Sequence, residues 1–222
     1  MTGKLFWGNK DTRSERFAFF DEIANSKEKG DCYAFSKIIA FFKNYGRLDI
    51  EESIVIGGRS KMNKKLQSVI KYLIDEAEVA DITPKKLQKL LYYCFAWHLA
   101  LTAEDNSSDE VNNSCLFEAT FEAWAHGPVI PEVYDKYKNY KAAVIPTSGL
   151  KLSTSDYLNE DELDSIKQVI EVYGDFNGNQ LEFLTHNEDP WKKARKGYAP
   201  LDICKEKIDI TDMYEFYSSQ LV

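Results

Sequence analysis

The chain has 222 residues, a formal net charge of -8, and hydrophobic residues make up 44% of it. A chain of this length and composition can bury a core, which excludes wholesale disorder. No apolar run is as long as a membrane span and no secretion signal is recognisable, so we predict a cytoplasmic protein without a membrane partner. The cysteines fit no zinc-binding spacing and are expected to be reduced thiols: Cys32, Cys94, Cys115 and Cys204.

Charge is unevenly distributed along the sequence. Residues 1–61 contain 11 basic and 9 acidic side chains, whereas residues 62–222 contain 17 basic and 27 acidic ones, a net charge near -10. We do not expect a nucleic-acid partner, because contact with phosphates requires a basic surface. An acidic surface suits a basic partner protein, although solubility explains the same charge equally well.

Residues 1–61 are predicted to form an N-terminal extension with two helices, one ending near Ala24 and one from about Tyr33 to Tyr45. Their apolar faces are rich in phenylalanine and need to be covered. We therefore predict that they pack on the rest of the chain, on a second copy or on a partner. Aromatic side chains are typical of interfaces, and the candidate contact residues here are Phe17, Phe20, Phe35 and Phe42.

A helical domain is predicted for residues 62–222. Apolar residues at helical spacing run from Met62 to Ala77. Thr83 and Pro84 form a typical helix start, and the helix to about Thr102 is apolar on nearly all sides, which places it at the centre of the domain. The polar segment 104–114 that follows is predicted to be a mobile loop.

Alternating apolar residues predict a short β element near residues 116–124. Gly127-Pro128 is expected to end this strand, and Pro131 is expected to begin a helix, since a first helical residue needs no N–H partner. The result is a strand-to-helix corner. Either it displays Trp124 and His126 at a functional surface, or it serves as a rigid corner.

The C-terminal third contains clear helix starts and turns. A small hairpin is predicted around the turn at 146–149. Asn159 and Glu162 match a capping box, and the helix that they start is expected to end at Gly174. Further helices are predicted at 181–185, at 191–196 and from the cap Thr211 to Gln220.

The sequence contains no glycine-rich phosphate loop, nucleophile elbow or His-Glu-x-x-His motif. His98, His126 and His186 could bind a metal only by converging, which their spacing does not require. Glu122 either faces outward or pairs with a base across the corner. The basic run 191–196 is predicted to be a solvated helix face that complements the helix dipole.

Several separate motifs follow one another between residues 62 and 221. They are T-P-K-K-L-Q-K-L-L-Y-Y at 83–93, W-H-L-A at 97–100, F-E-A-W-A-H-G-P-V-I-P-E-V-Y at 121–134, T-H at 185–186 and P-W at 190–191. Together they resemble the Panacea domain, the SocA-like antitoxin family. His126 stands where this family commonly has tyrosine or phenylalanine, so the resemblance assigns no chemistry to it.

The resemblance implies a mainly helical domain that neutralises a cognate toxin protein. Some members of the family hand the toxin to a protease, and members are frequent in phages and mobile elements. The matching residues are expected to have a structural role, with Trp124 and Tyr134 packing the corner against the helix 84–102. They are Thr83, Pro84, Leu87, Gln88, Lys89, Leu90, Tyr92, Tyr93, Trp97, His98, Trp124, Gly127, Pro128, Pro131, Tyr134, His186, Pro190 and Trp191.

Two interpretations stay open at this point. In the first, the protein is an antitoxin that binds its toxin directly, has no catalytic residue, metal or cofactor, and makes contact through the extension and through Glu122 and His126. In the second, it is an enzyme that removes a toxin-installed modification or a metal-dependent hydrolase that uses His98, His126 and His186. A DNA-binding autorepressor is a weaker third interpretation, because the domain is acidic and lacks a helix-turn-helix motif.

Overall fold

The computed structural model describes residues 62–221. Residues 1–61 and Val222 lie outside this part, and so do the predicted N-terminal helices with Phe17, Phe20, Phe35 and Phe42. The division of the chain at residue 61 therefore stays a prediction.

The described part is mainly helical, as predicted, with one two-stranded antiparallel sheet. Its helices are α1 (Lys64–Lys71), α2 (Pro84–Thr102), α3 (Ser108–Asn113), α4 (Pro131–Tyr137), α5 (Glu160–Tyr173), α6 (Gly178–Asn187), α7 (Asp189–Ala194) and α8 (Ile210–Ser218). The strands are β1 (Glu122–Trp124) and β2 (Gly127–Val129). A π-helical segment, Tyr72–Glu76, continues α1, and 3-10 turns cover Lys138–Tyr140 and Thr154–Asp156.

Helix α2 lies at the centre of the domain, as its apolar sequence predicts. All of its residues except Lys85 and Thr102 are buried, and α5, α6 and α8 pack around it. It begins as expected, with Pro84 in its first turn and the Thr83 hydroxyl accepting a hydrogen bond from the backbone N–H of Lys86. A helix buried on every side is the scaffold on which the other elements are positioned.

The core around α2 is built largely from aromatic rings. Tyr93 stacks on Tyr173 of α5 with ring centroids 4.0 Å apart, and Tyr217 of α8 meets Trp97 edge-on at 5.0 Å. Such pairs contribute about 0.5–1.5 kcal/mol beyond the burial of their area. Three of the motif residues predicted to be structural, Tyr92, Tyr93 and Trp97, lie in this core and are no more than 1% exposed.

The segment 104–114 is not a mobile loop, and that prediction was wrong. It contains α3, which Ser107 caps by accepting a hydrogen bond from the backbone N–H of Glu110. Acidic residues in the first turn favour the helix because they face the positive end of its dipole. Val111 is fully buried and attaches this short helix to the core.

The turn at 146–149 is not part of a hairpin, since the described residues on either side of it form no strand. Side-chain contacts hold the turn instead. Ser148 donates to the Asp75 carboxylate from its backbone N–H at 2.8 Å and from its hydroxyl at 2.6 Å. The Tyr137 hydroxyl donates to the carbonyl of Ser148 at 2.8 Å.

The predicted capping box of α5 is present. The Asn159 side chain accepts from the backbone N–H of Glu162, and the Glu162 carboxylate accepts from the backbone N–H of Asn159.

The last helix also forms where it was predicted, but its cap is Asp209 rather than Thr211. The Asp209 carboxylate accepts from the backbone N–H of Thr211 at 2.7 Å. A side chain two residues before that N–H can reach it, whereas Thr211 lies inside the helix.

Candidate partner-binding surface at the corner

The corner consists of β1, a tight turn through Ala125 and His126, β2 and α4. Gly127 and Pro128 lie in the second strand, so the prediction that they end the β element was wrong. Gly127 has a φ of 91°, a conformation that L-residues rarely adopt and that allows the chain to reverse. Pro128 pairs with Ala123 and is tolerated because β2 is an edge strand, where a missing N–H leaves no partner unpaired.

Gln88 of α2 holds the end of β2. Its side-chain amide donates to the carbonyl of Ile130 at 3.2 Å and accepts from the N–H of the same residue at 2.8 Å. The side chain thus acts as a strand partner for the last residue before α4. All of these groups are buried, so each hydrogen bond removes a desolvation penalty.

Lys89 is 1% exposed and donates from Nζ to the carbonyl of Pro128 at 2.9 Å. Burial lowers the pKa of this ammonium group to about 7. Gly127 approaches so closely that an added Cβ would lie 2.7 Å from Lys89 Nζ and 2.7 Å from Thr185 Oγ1. Glycine is therefore required here both by its φ angle and by the lack of space.

Trp124 and Tyr134 pack against each other with ring centroids 4.9 Å apart, and Tyr134 is 38% exposed. Trp124 is half-buried, and the packing of the corner against α2 by these two side chains stays a prediction. Phe121 has that role, because its ring lies edge-on to Tyr92 at 5.5 Å and to Phe95 at 5.3 Å. The alternation of the segment points Phe121 inward, and the two partners are a turn of α2 apart.

Arg195 was predicted to belong to a solvated basic helix face, but it is 5% exposed. Its guanidinium donates to the carbonyl of Ala123 in β1 at 2.9 Å and to the carbonyls of Ala199 and Asp202 at 2.8 and 3.1 Å. It therefore joins the corner to the segment before α8. The planar guanidinium carries donors on both sides, which suits it to several carbonyls at once.

Glu188 is a buried carboxylate that the sequence analysis did not identify. It is 1% exposed and accepts hydrogen bonds from the hydroxyls of Tyr93 at 2.9 Å and Tyr217 at 2.6 Å. Burial raises the pKa of this carboxyl to about 7. No sequence signal could have found it, because it lies between the polar residues Asn187 and Asp189 and has the appearance of a surface position.

The three histidines have separate surroundings. His98 is buried, its Nδ1 lies 2.8 Å from Ser165 Oγ, and burial lowers its pKa to about 3. His126 is exposed, with Nδ1 2.8 Å from a carboxylate oxygen of Glu182. His186 stacks on Trp191 at 4.1 Å.

The three histidines do not converge on one site in the structure. Within residues 62–221, no three His, Cys, Asp or Glu side chains are arranged to hold a metal ion. Of the two corner residues predicted to contact a partner, His126 is exposed at the hairpin turn. Glu122 is half-buried and accepts a hydrogen bond from Trp124 Nε1 at 2.7 Å.

A groove of about 580 Å³ opens beside the corner, and we call it the corner groove. Six of the residues that define it are Phe95, Phe117, Glu118, Ile130, Glu132 and Ile210. It was not predicted, because it depends on the positions of α4 and α8 relative to the segment that leads into β1.

None of the described helices is both long and apolar enough to cross a membrane.

The fold and the corner define a small helical scaffold in which the polar motif residues hold the chain together. The family model described as "Antitoxin SocA-like, Panacea domain" matches residues 87–192. The Antitoxin SocA of Caulobacter vibrioides (strain NA1000 / CB15N) is 30% identical over 144 residues, which cover 59% of this chain and 70% of that protein. The chain therefore belongs to the SocA-like Panacea family, and the resemblance is confirmed. No solved structure matches it.

Proposed function

We propose that the protein is an antitoxin that neutralises a cognate toxin protein by binding it, without a chemical step. The relative named Antitoxin SocA supports the antitoxin role. The observation that carries the binding mechanism is that the polar side chains of the family motif have partners inside the domain. Gln88, Lys89 and His98 are buried, and each is hydrogen-bonded to another part of the chain.

A group that performs acid–base chemistry has to reach its substrate. His98 is 3% exposed and bonded to Ser165, and Glu188 is 1% exposed between two tyrosine hydroxyls. Both therefore serve the fold in this proposal. His126 is accessible, and its half-buried partner Glu182 is also paired with Lys85 at 2.5 Å, so we assign this partly exposed charge cluster to partner contact.

Binding alone is sufficient for neutralisation if the complex is tight. A stable interface of standard size buries about 1,600 Å² in total and reaches nanomolar affinity when a few side chains are well packed. The net charge near -10 of residues 62–222 would steer a basic partner toward the domain and raise the association rate.

The experiment that tests this proposal is a titration. The toxin would be the product of a neighbouring gene whose expression stops growth unless the present chain is also expressed. Its activity in a cell extract is measured while the purified full chain is added. Neutralisation that is complete only at equimolar protein supports binding, whereas repeated restoration by a small fraction of an equivalent supports an enzyme and rejects our proposal.

The adaptor role implied by the family stays a prediction. It is checked in the same cells by following the lifetime of the toxin after synthesis is stopped. A lifetime that shortens only when the present chain is expressed would add proteolysis to the binding mechanism.

A further inference from the structure

The corner groove has an apolar base formed by Phe95, Phe117 and Ile130, each no more than 2% exposed. Ile210 of α8 and Pro131 of α4 line it as well and are half-buried. Its volume of about 580 Å³ lies within the range of sites that accept a ligand or several side chains. The groove can therefore accept a large apolar side chain from a partner.

No described residue forms an ion pair with the charged side chains of this groove. Glu118 and Glu132 are the charged residues among those described as lining it, and both are acidic. Glu132 forms no ion pair with another described residue, and burial raises its pKa. Glu118 accepts one long hydrogen bond, 3.4 Å, from the side chain of Asn63. A lysine or arginine is the complementary group for such a site.

The described residues also leave the backbone beside the groove without hydrogen-bond partners. Within residues 62–221, the segment 118–120 makes no backbone hydrogen bond. The residues that follow are paired, since the carbonyl of Phe121 accepts from Ile208 N–H and the N–H of Ala123 donates to Glu206, both at 2.8 Å. This pairing stops because the chain enters α8 at Ile210. Among residues 62–221, this segment therefore has backbone donors and acceptors that an extended peptide can use.

We propose that the corner groove binds an extended segment of the toxin in which a bulky apolar side chain is flanked by lysine or arginine. The apolar side chain enters between Phe117 and Ile130, and the cations pair with Glu118 and Glu132. The backbone of the segment pairs with residues 118–120. This inference rests on the proposed function, because it names the surface through which the antitoxin recognises its toxin.

The first test uses a defined probe and the full chain. Fluorescein-labelled Lys-Val-Lys-Phe-Lys-Val-Lys is titrated by fluorescence anisotropy, alongside Glu-Val-Glu-Phe-Glu-Val-Glu and Lys-Ser-Lys-Ser-Lys-Ser-Lys. We expect the first peptide to bind at least about tenfold more tightly than either control, a difference of about 1.4 kcal/mol. Equal binding of the two basic peptides, or no binding of the first, would overturn the proposal.

Charge-matched variants separate the groove from the general acidity of the protein. Glu118→Gln/Glu132→Gln should weaken binding of the basic apolar peptide at least about fivefold, since two charge-assisted contacts are lost. Glu78→Gln/Glu171→Gln removes the same charge at exposed positions that do not line the groove, and it should change the affinity less than about twofold. Equal losses in both variants would contradict site binding. Unchanged circular dichroism verifies folding.

The second test uses the toxin of the titration described above. The photoreactive residue p-benzoylphenylalanine replaces Thr120, which is exposed and lines the groove. We expect crosslinks to the toxin at a peptide that contains lysine or arginine beside an apolar residue. Crosslinks confined to a second copy of the present chain would overturn the inference.

The two proposals fail in different ways. If the toxin co-purifies with the wild-type chain and with Glu118→Arg/Glu132→Arg equally well, the groove is not the recognition surface, while the proposed function stands. If the toxin does not co-purify with the wild-type chain, the proposed function itself is rejected, and the groove proposal with it.

Discussion

The side-chain amide of Gln88 forms hydrogen bonds with both the carbonyl and the N–H of Ile130, at 3.2 Å from its nitrogen and 2.8 Å from its oxygen. The central helix thereby holds the point where β2 ends and α4 begins. Ile130 also lines the corner groove, so the position of this backbone defines the shape of the groove. A motif residue far from any surface thus determines the geometry of the candidate recognition site.

Replacing Gln88 by methionine tests this contact. The substitution preserves the size of the side chain but leaves the buried N–H of Ile130 without a partner, at a cost of about 1–3 kcal/mol. The carbonyl of Ile130 still accepts from the backbone N–H groups of Val133 and Tyr134. We expect the free energy of unfolding in urea to fall by about 1–3 kcal/mol. Gln220→Met near the end of the chain is the control and should change it by less than about 0.5 kcal/mol. An equally small change in Gln88→Met would contradict the assigned role.

A pair of glycine variants tests how closely the backbone of Gly127 approaches Lys89 and Thr185. Gly127 and Gly197 have nearly the same φ, 91° and 93°, but only the Cβ added at Gly127 meets other atoms. Gly197→Ala should cost about 1–2 kcal/mol for the backbone conformation alone. Gly127→Ala should cost at least about 1–3 kcal/mol more, because Lys89 and Thr185 must move. Thermal and urea unfolding of both variants give this difference, and equal losses would show that the corner adjusts freely.

Features that depend on neighbouring residues could be predicted from the sequence, whereas contacts between distant residues could not. The caps Thr83 and Asn159 and the apolar faces of α2 and α5 were predicted because a helix start and its periodicity are written in neighbouring residues. The buried state of Arg195 was not predicted, since its carbonyl partner in β1 is 72 positions away. A lysine or arginine looks the same in sequence whether it is solvated or surrounded by carbonyls.

The candidate site was likewise predictable only where it depends on neighbouring residues. The sequence analysis located the corner and singled out His126, which is exposed at the hairpin turn. It did not find the corner groove, because Phe95, Ile130 and Ile210 come together only after three elements have packed. Packing of elements distant in sequence is not encoded in any single motif, so a docking surface is harder to predict than a helix.

Lys89 gives the stability of the domain a pH dependence at alkaline pH. Burial lowers its folded-state pKa to about 7 from an ordinary value of 10.5, so the unfolded chain binds the proton more tightly. Between these two values the free energy of unfolding should therefore rise with pH. Lys89→Met removes this ammonium group, so the free energy of unfolding of the variant should not rise over the same pH range. Urea unfolding between pH 7 and pH 10 measures both proteins, and parallel curves would contradict the assignment.

Glu188 gives the free energy of unfolding the opposite pH dependence, and it does so at a lower pH. Its folded-state pKa is raised to about 7 from 4.5, so the folded chain holds the proton over a range in which the unfolded chain has lost it. The free energy of unfolding should therefore fall as the pH rises from about 4.5 to 7, by an amount on the order of 3 kcal/mol before relaxation around the site. Above that range the ionised carboxylate is buried, and within residues 62–221 its hydrogen-bond donors are the hydroxyls of Tyr93 and Tyr217.

Glu188→Gln is the variant that isolates this effect, because it has the same shape and does not titrate. Between pH 4.5 and 7 its free energy of unfolding should change much less with pH than that of the wild type. At pH 7 it should exceed the wild-type value. Glu182→Gln is a matched control on α6, because the lowered pKa of that carboxyl places its effect on stability below pH 4.5 and it should leave the slope between pH 4.5 and 7 unchanged. If wild type and Glu188→Gln lose stability in parallel as the pH rises, the buried carboxylate is not the titrating group. Chemical unfolding at closely spaced pH values, followed by tryptophan fluorescence, makes this comparison.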